Sequence, residues 1–375
     1  MQKLSTKAVV TLLLIMGIVV GGIKIWQAKT EWGRHATNIS LVTTEDKANW
    51  IRSQVYAFNN QNDGKYHVSL IYLDSRAAMQ DILAGKQKPV LWSPDNPMWV
   101  ERLSAVWNAR HGTPLVDIDD ASAFRVFLRS PVVFLTTQNK AAYLRSRLGQ
   151  PGTWENLREL SLRREDPPWG HVRFSHADPL TSNSGMLTIA MILNEYGRDH
   201  GSAGNLENTA RSSSFARYLE QMEHGLVYSK DSRLGSYAIS QSYIKAPSSL
   251  DFITTYESEA LSAAERNKQF AVIYPNPTVV SQQSMSILSA PWVSSEQHAG
   301  ASAFMNYVHR ESAMKSGLKY NMRSDDQSGG ESLTPKLRKF SSQGFQETYV
   351  AEDLPPYDAL NMAAFQWLTH IVHHQ

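Results

Sequence analysis

The sequence predicts an α/β protein of two lobes, each a mainly parallel sheet flanked by helices, following an N-terminal transmembrane or signal helix. Strands that read as continuous apolar runs alternate with segments of helical periodicity, the pattern of a parallel sheet covered on both faces. The alternation occurs twice, once from Asn38 and again from Pro131. A chain of 375 residues also exceeds one ordinary core, so two domains are expected.

Composition narrows the function. Hydrophobic residues make up 42% of the chain and the formal net charge is +2, which fits a globular body and supplies no basic field for nucleic acid. The absence of cysteine excludes disulfides, thiolate catalysis and thiolate metal sites. At the N-terminus, Ala8 to Ile23 carries no charge, and Lys24 and the interfacial Trp26 extend it. A spanning helix needs about 17–25 residues and a signal-peptide core about 7–15. The stretch is therefore expected to be a retained anchor, with cleavage at Val20-Gly21-Gly22 as the alternative. Either way the body is exported, and membrane contact runs through this helix.

Asn38 to Val42 reads as the first strand. Thr43-Thr44-Glu45-Asp46 leads into a helix striped by Ile51, Val55 and Phe58, with Thr43 and Asp46 at capping-box spacing. A turn at Asn59 to Gly64 precedes the strand Tyr66 to Leu73, and the helix Ser75 to Ala84 stops at Gly85. After a strand at Pro89 to Trp92, Ser93-Pro94-Asp95-Asn96-Pro97 opens a helix with Asn96 as cap and Pro97 at its first position. The second run begins with the strand Pro131 to Thr136, the helix Lys140 to Leu148 and a helix starting at Thr153. Further strands are expected at His171 to Ser175, Asp251 to Tyr256, Ala271 to Tyr274 and Met285 to Leu288. Helices are expected at Phe215 to His224, from Ser294 to His309, and finally from Tyr357 to His373. Arg198 to Asn208 and Ser324 to Ser332 read as loops.

The most informative stretch runs from Phe174 to Tyr196. Asp178-Pro179 breaks a short strand, and Thr181-Ser182-Asn183-Ser184-Gly185 sits directly before an apolar helix containing Met186, Leu187, Ile189, Ala190, Ile192 and Leu193. The free N–H groups of a first turn, with the helix dipole, favour a carboxylate or other oxyanion. Gly185 leaves the backbone open to close approach. The competing reading is that Ser182 or Asn183 only caps a core helix. In an open parallel sheet ligands bind outside the carboxyl ends of the strands. Five polar loops begin there: Thr43–Asp46, Ser93–Asn96, Asp178–Gly185, Glu257–Ser258 and Tyr274–Asn276.

These residues carry a resemblance. Thr153-Trp154-Glu155-Asn156-Leu157, the Asp178 to Gly185 turn, Thr255-Tyr256-Glu257-Ser258, Tyr274-Pro275 and Ile287-Leu288 to Ala290-Pro291-Trp292-Val293 form one set. As a set, the chain resembles bacterial extracellular solute-binding proteins of the type II periplasmic binding fold, in a membrane-tethered subgroup of unassigned ligand. The resemblance spans Thr37 to Tyr320. It implies ligand capture without chemistry, no cofactor, and a body in the periplasm or extracytoplasmic space, held by a single pass through the cytoplasmic membrane. It also implies a lobe of residues 37–130 with 285–375 and a second lobe of 131–284, hinged near Pro131 and between Tyr274 and Ile287. Lipid-anchored relatives carry a cysteine after the signal, which is missing here.

The residues expected to bind are Thr43, Thr44, Ser93, Asp95, Asp178, Ser182, Asn183, Ser184, Gly185, Tyr256, Glu257 and Tyr274. Asp95, Asp178 and Glu257 discourage a free polyanion. A zwitterion, an anion accompanied by a cation, or a polar neutral solute suits the set, delivered to a membrane transporter or sensor. Asp178 also reads as a turn residue, Glu257 as a first-turn helix residue, and Trp92 and Tyr256 as core. A hydrolase built on His176, Asp178, Ser182 and Ser184 is a third reading, but no G-x-S-x-G elbow is present. The main rival is an ectodomain that uses the same fold to hold a protein partner.

Overall fold

The computed structural model describes residues 36–324 and 334–371. The expected membrane helix at residues 8–26 lies outside them, as does most of the loop expected at 324–332. Among the described residues no helix is long and apolar enough to cross a membrane.

The first sheet is built from β1 (Thr37–Thr43), β2 (Tyr66–Tyr72) and β3 (Leu91–Ser93), with β1 parallel to both neighbours. These strands alternate with α1 (Ala48–Gln61), α2 (Ser75–Leu83) and α3 (Pro97–His111). Asn96 caps α3 through Met98 N–H and Pro97 occupies its first turn, as the residue types require. The expected Thr43–Asp46 capping box is not formed. A short 3-10 turn at Glu45–Lys47 precedes α1, and its cap residue Thr44 makes no capping bond. The Thr44 hydroxyl goes instead to Asp95, because a buried carboxylate is the stronger acceptor.

The strand expected at Pro131 begins earlier: β4 (Phe124–Thr137) is a single long strand that belongs to two sheets. Its first half runs antiparallel to β8 (Val280–Ile287), which is itself antiparallel to β3. Its second half lies between β6 (Phe252–Tyr256) and β7 (Phe270–Ile273), antiparallel to both, while β5 (Phe174–Ser175) pairs parallel with β6. Each sheet thus runs mainly in one direction with one reversed strand inserted, β8 in the first and β4 in the second. Around the second sheet lie α4 (Gln138–Leu148), α5 (Thr153–Ser161), α6 (Asn183–Asp199), α7 (Leu206–Arg211), α8 (Ser213–Met222), α9 (Lys230–Leu234), α10 (Ser236–Lys245) and α11 (Glu257–Arg266). The loop expected at Arg198 to Asn208 therefore already contains the start of α7.

The chain returns to the first sheet through α12 (Ser295–Val308), where Ser294 and Gln297 form a reciprocal capping box, and α13 (Glu311–Ser316). A two-residue strand β9 (Arg323–Ser324) adds to β4. Thr334–Gln343 is a 3-10 segment and α14 (Tyr357–Ile371) ends the described chain. Apolar clusters cover both faces of each sheet. One joins Ile39, Trp50, Phe58 and Phe304, and another joins Phe134, Trp154, Leu187 and Phe252. Full burial of each such side chain is worth about 1.5–3 kcal/mol, which makes these clusters the main source of stability.

Candidate functional site

The loops after β1, β2 and β3 meet the loop after β5 along a seam between the two sheets. From the first side comes Asp74, the cap of α2, whose carboxylate accepts Arg76 N–H at 2.9 Å. The backbone N–H of Asn183, the first residue of α6, also faces this carboxyl and lowers its pKa. Asp74 therefore caps α2 and faces the N-terminus of α6 across the seam. Burial pushes the Asp74 carboxyl up to about 7, although the N–H donors hold it down. The α6 first turn, expected to seat an oxyanion, thus faces a carboxyl from its own chain.

The Asn183 side chain completes the crossing. Its Oδ1 accepts from Trp99 Nε1 of α3 at 2.7 Å, and its Nδ2 donates to Tyr256 Oη at 2.9 Å. Ser182 precedes α6 as its cap residue without a capping bond, and its Oγ lies 3.0 Å from Ser184 Oγ. Gly185 packs against the chain's own backbone. A Cβ at this position would lie 2.3 Å from Ala177 O, so the missing side chain is what lets α6 pack on the end of β5.

Deeper on the first side, Lys47 Nζ donates to Asp95 Oδ1 at 2.7 Å and to Thr44 Oγ1 at 2.8 Å, all three buried. Ser93 Oγ donates to Ser284 O at 2.6 Å, and Thr43 Oγ1 is buried without a partner among the described residues. Asp178 closes its own turn through Leu180 N–H at 2.8 Å and accepts from Tyr228 Oη at 2.7 Å.

Glu257 and Tyr274 lie elsewhere. Arg323 grips Glu257 with two bonds, 2.8 and 2.6 Å long, and Tyr274 Oη donates to the same carboxylate at 2.5 Å. Arg323 also lies over the rings of Phe345 and Tyr349, at 5.0 and 4.8 Å from their centroids. The pair is a buried structural knot between α11 and the tail. No local pattern marks it, because Arg323 follows Glu257 by 66 positions.

One cleft opens along the seam. Its walls are Glu45, Asp46 and Lys47 from the first side and Tyr237, Ser240, Ser258, Glu259 and Arg266 from the second, around a cavity of about 70 Å³. Asp46 and Glu259 share a side-chain hydrogen bond across it. Burial raises both carboxyls, and the Asp95 charge raises Asp46 further. Ser240 Oγ donates to Glu259 Oε2 at 3.1 Å. Sequence reading missed Asp46 as a cleft residue, and it missed Asp74, Trp99, Ser240 and Glu259. The strand-end rule that selected Thr43 and Ser93 applies equally to Asp74, directly beyond β2.

Comparison with known proteins places this geometry. No family model and no curated protein sequence matches the chain. Solved structures do. The sulfate-binding protein SubI from Mycobacterium tuberculosis is similar over 90% of this chain and 99% of its own, at 16% identity and a TM-score of 0.57. Iron-bound HitA from Pseudomonas aeruginosa covers 89% and 98%, at 15% identity and a TM-score of 0.58. The periplasmic binding protein AfuA from Actinobacillus pleuropneumoniae, with fructose-6-phosphate bound, covers 90% and 99%, at 12% identity and a TM-score of 0.57. At such identities the likeness is one of fold, and the chain has the two-lobed α/β fold of periplasmic binding proteins.

Proposed function

We propose that this chain is an exported, non-enzymatic solute-binding protein that captures a small polar solute between its lobes for a transport or sensing system. The observation that carries the reading is the cleft, whose polar walls come from both sheets at the junction of the lobes, where ligand sites concentrate. The division into lobes follows β4, with residues 37–130 in the first and 131–284 in the second, hinged where β4 and β8 pass between the sheets. The tail helix α14, expected with the first lobe, packs on α6, α7 and α8 of the second and also meets α3 of the first. Residues 8–26 would hold the body at the outer face of a membrane.

The facing carboxyls of Asp46 and Glu259 and the neighbouring hydroxyls favour a neutral polar or zwitterionic solute over a bare polyanion. Since Trp99 and Tyr256 already bond the Asn183 side chain at the α6 first turn, a second reading has a specific support: a closed ectodomain that binds a protein partner. Thermal unfolding of the full chain against amino acids, polyamines, sugars, sulfate and phosphate separates the two. A binder at a hundredfold excess over its Kd adds about 2.7 kcal/mol of stability and raises the midpoint. A midpoint that no solute moves would overturn the solute reading.

A further inference from the structure

The last described helix belongs to both lobes. Along one side of α14, Ala359, Ala363 and Trp367 join the second-lobe core with Leu187, Leu219 and Met222. Along the other, Leu360 and Ala364 join a cluster with Met98, Trp99 and Leu103 of α3, together with Met186 and Ala190 of α6. The four-residue spacing within each set puts the two sets on adjacent stripes of one helix.

Polar contacts repeat the division. Toward the second lobe, Trp367 Nε1 donates to Glu223 Oε1 at 3.3 Å, and that oxygen lies 2.9 Å from His176 Nε2. Burial alone would lower the His176 pKa, but the Glu223 carboxylate outweighs it and raises it, so Glu223 is held in a charge-assisted bond. Just before the helix, Asn194 Nδ2 donates to Asp353 O at 2.8 Å, and Arg198 pairs with Glu352. Toward the first lobe, Arg76 of α2 donates to Asn361, and Arg102 of α3 lies 3.3 Å from Asp358. The Tyr357 ring meets Trp99 edge-on at 5.7 Å and lies beneath the Arg102 guanidinium at 4.7 Å.

Arg76 and Trp99, two of the first-lobe residues that α14 and its entry touch, are also next to the seam. Arg76 N–H bonds Asp74, and Trp99 bonds Asn183. We infer that α14 is an intramolecular clasp: it is anchored on the second lobe by Trp367, grips the first lobe through Tyr357, Asp358, Leu360 and Asn361, and thereby holds the seam shut. A clasp of this kind lowers the population of the open form, and apparent affinity for any cleft occupant falls by that fraction. The inference holds whether the occupant is a solute or a protein segment.

The cysteine-free chain permits a direct test. Spin labels at Tyr56→Cys and Leu234→Cys, on side chains 71% and 72% exposed, report the distance between lobes in the full chain. The Arg76→Ala/Arg102→Ala/Leu360→Ser triple variant removes the first-lobe grip and leaves Trp367 in place. A second, longer distance population in this variant is expected, and an unchanged distribution overturns the clasp. Hydrogen exchange on the wild-type chain tests it without a variant. The Asn183 amide and the α14 amides are expected to open as one unit, and an Asn183 amide that exchanges while α14 stays protected overturns it equally.

Discussion

Trp99 Nε1 donates to Asn183 Oδ1 at 2.7 Å, joining the first turn of α3 in one lobe to the first turn of α6 in the other. Both groups are buried. Trp99→Phe keeps the ring volume near its place and leaves Asn183 Oδ1 without its donor. An unsatisfied buried acceptor costs about 1–3 kcal/mol, so the urea midpoint should fall by that equivalent. Because the bond spans the seam, the loss should also widen the distance between lobes.

Asp74 governs the pH response. Its carboxyl is raised from 3.8 to about 7 by burial, and Glu195, which accepts the N–H groups of Trp154 and Glu155 at 2.8 and 2.7 Å, is raised by burial from 4.5 to about 7. Between about pH 4 and 7 the folded chain holds protons that the unfolded chain has released. Stability from these two groups is full below about pH 4 and is lost as pH rises through about 7. Urea midpoints should therefore be higher at pH 5 than at pH 8. Asp74→Asn keeps an acceptor for the α2 cap and removes the titrating group, so the difference between the two pH values should shrink.

The Arg323–Glu257 pair is structural. Arg323→Met leaves a buried carboxylate uncompensated, and such losses cost about 3–5 kcal/mol. Glu257→Gln keeps one acceptor oxygen, turns an NH2 donor toward the other donors and leaves the Arg323 charge unpaired, so it should destabilise as well. Equilibrium unfolding measures both, and solute affinity in whatever fraction stays folded should not change, since neither residue lines the cleft.

At Gly185 even Ala should be felt. Its Cβ would press on Ala177 O and the Asp178 backbone, forcing α6 away from β5. Overpacking of this kind costs about 1–3 kcal/mol, read as a lower thermal midpoint.

Local chemistry was legible in the sequence wherever the partners lie close along the chain. Asn96-Pro97 marked the start of α3, Ser294 marked the start of α12, and apolar strand runs placed the sheets. The sequence also brought the α6 first turn to the site. What it left unread depends on distant partners. Thr44 abandons its local cap for Asp95, 51 positions away, and the α6 first turn meets Asp74 across the seam. The tail carried no motif because its role is divided between two lobes, one helical stripe serving each of them.

Entry of a solute between the lobes is tested most directly by titration calorimetry of the full chain with the compound that most raises its unfolding midpoint, beside the Asp46→Ala/Glu259→Ala variant. These two side chains line the cleft from opposite lobes and bond each other there. The predicted result is at least a tenfold loss of affinity, about 1.4 kcal/mol, with folding retained. Equal affinity in the variant and the wild-type chain would contradict capture in this cleft.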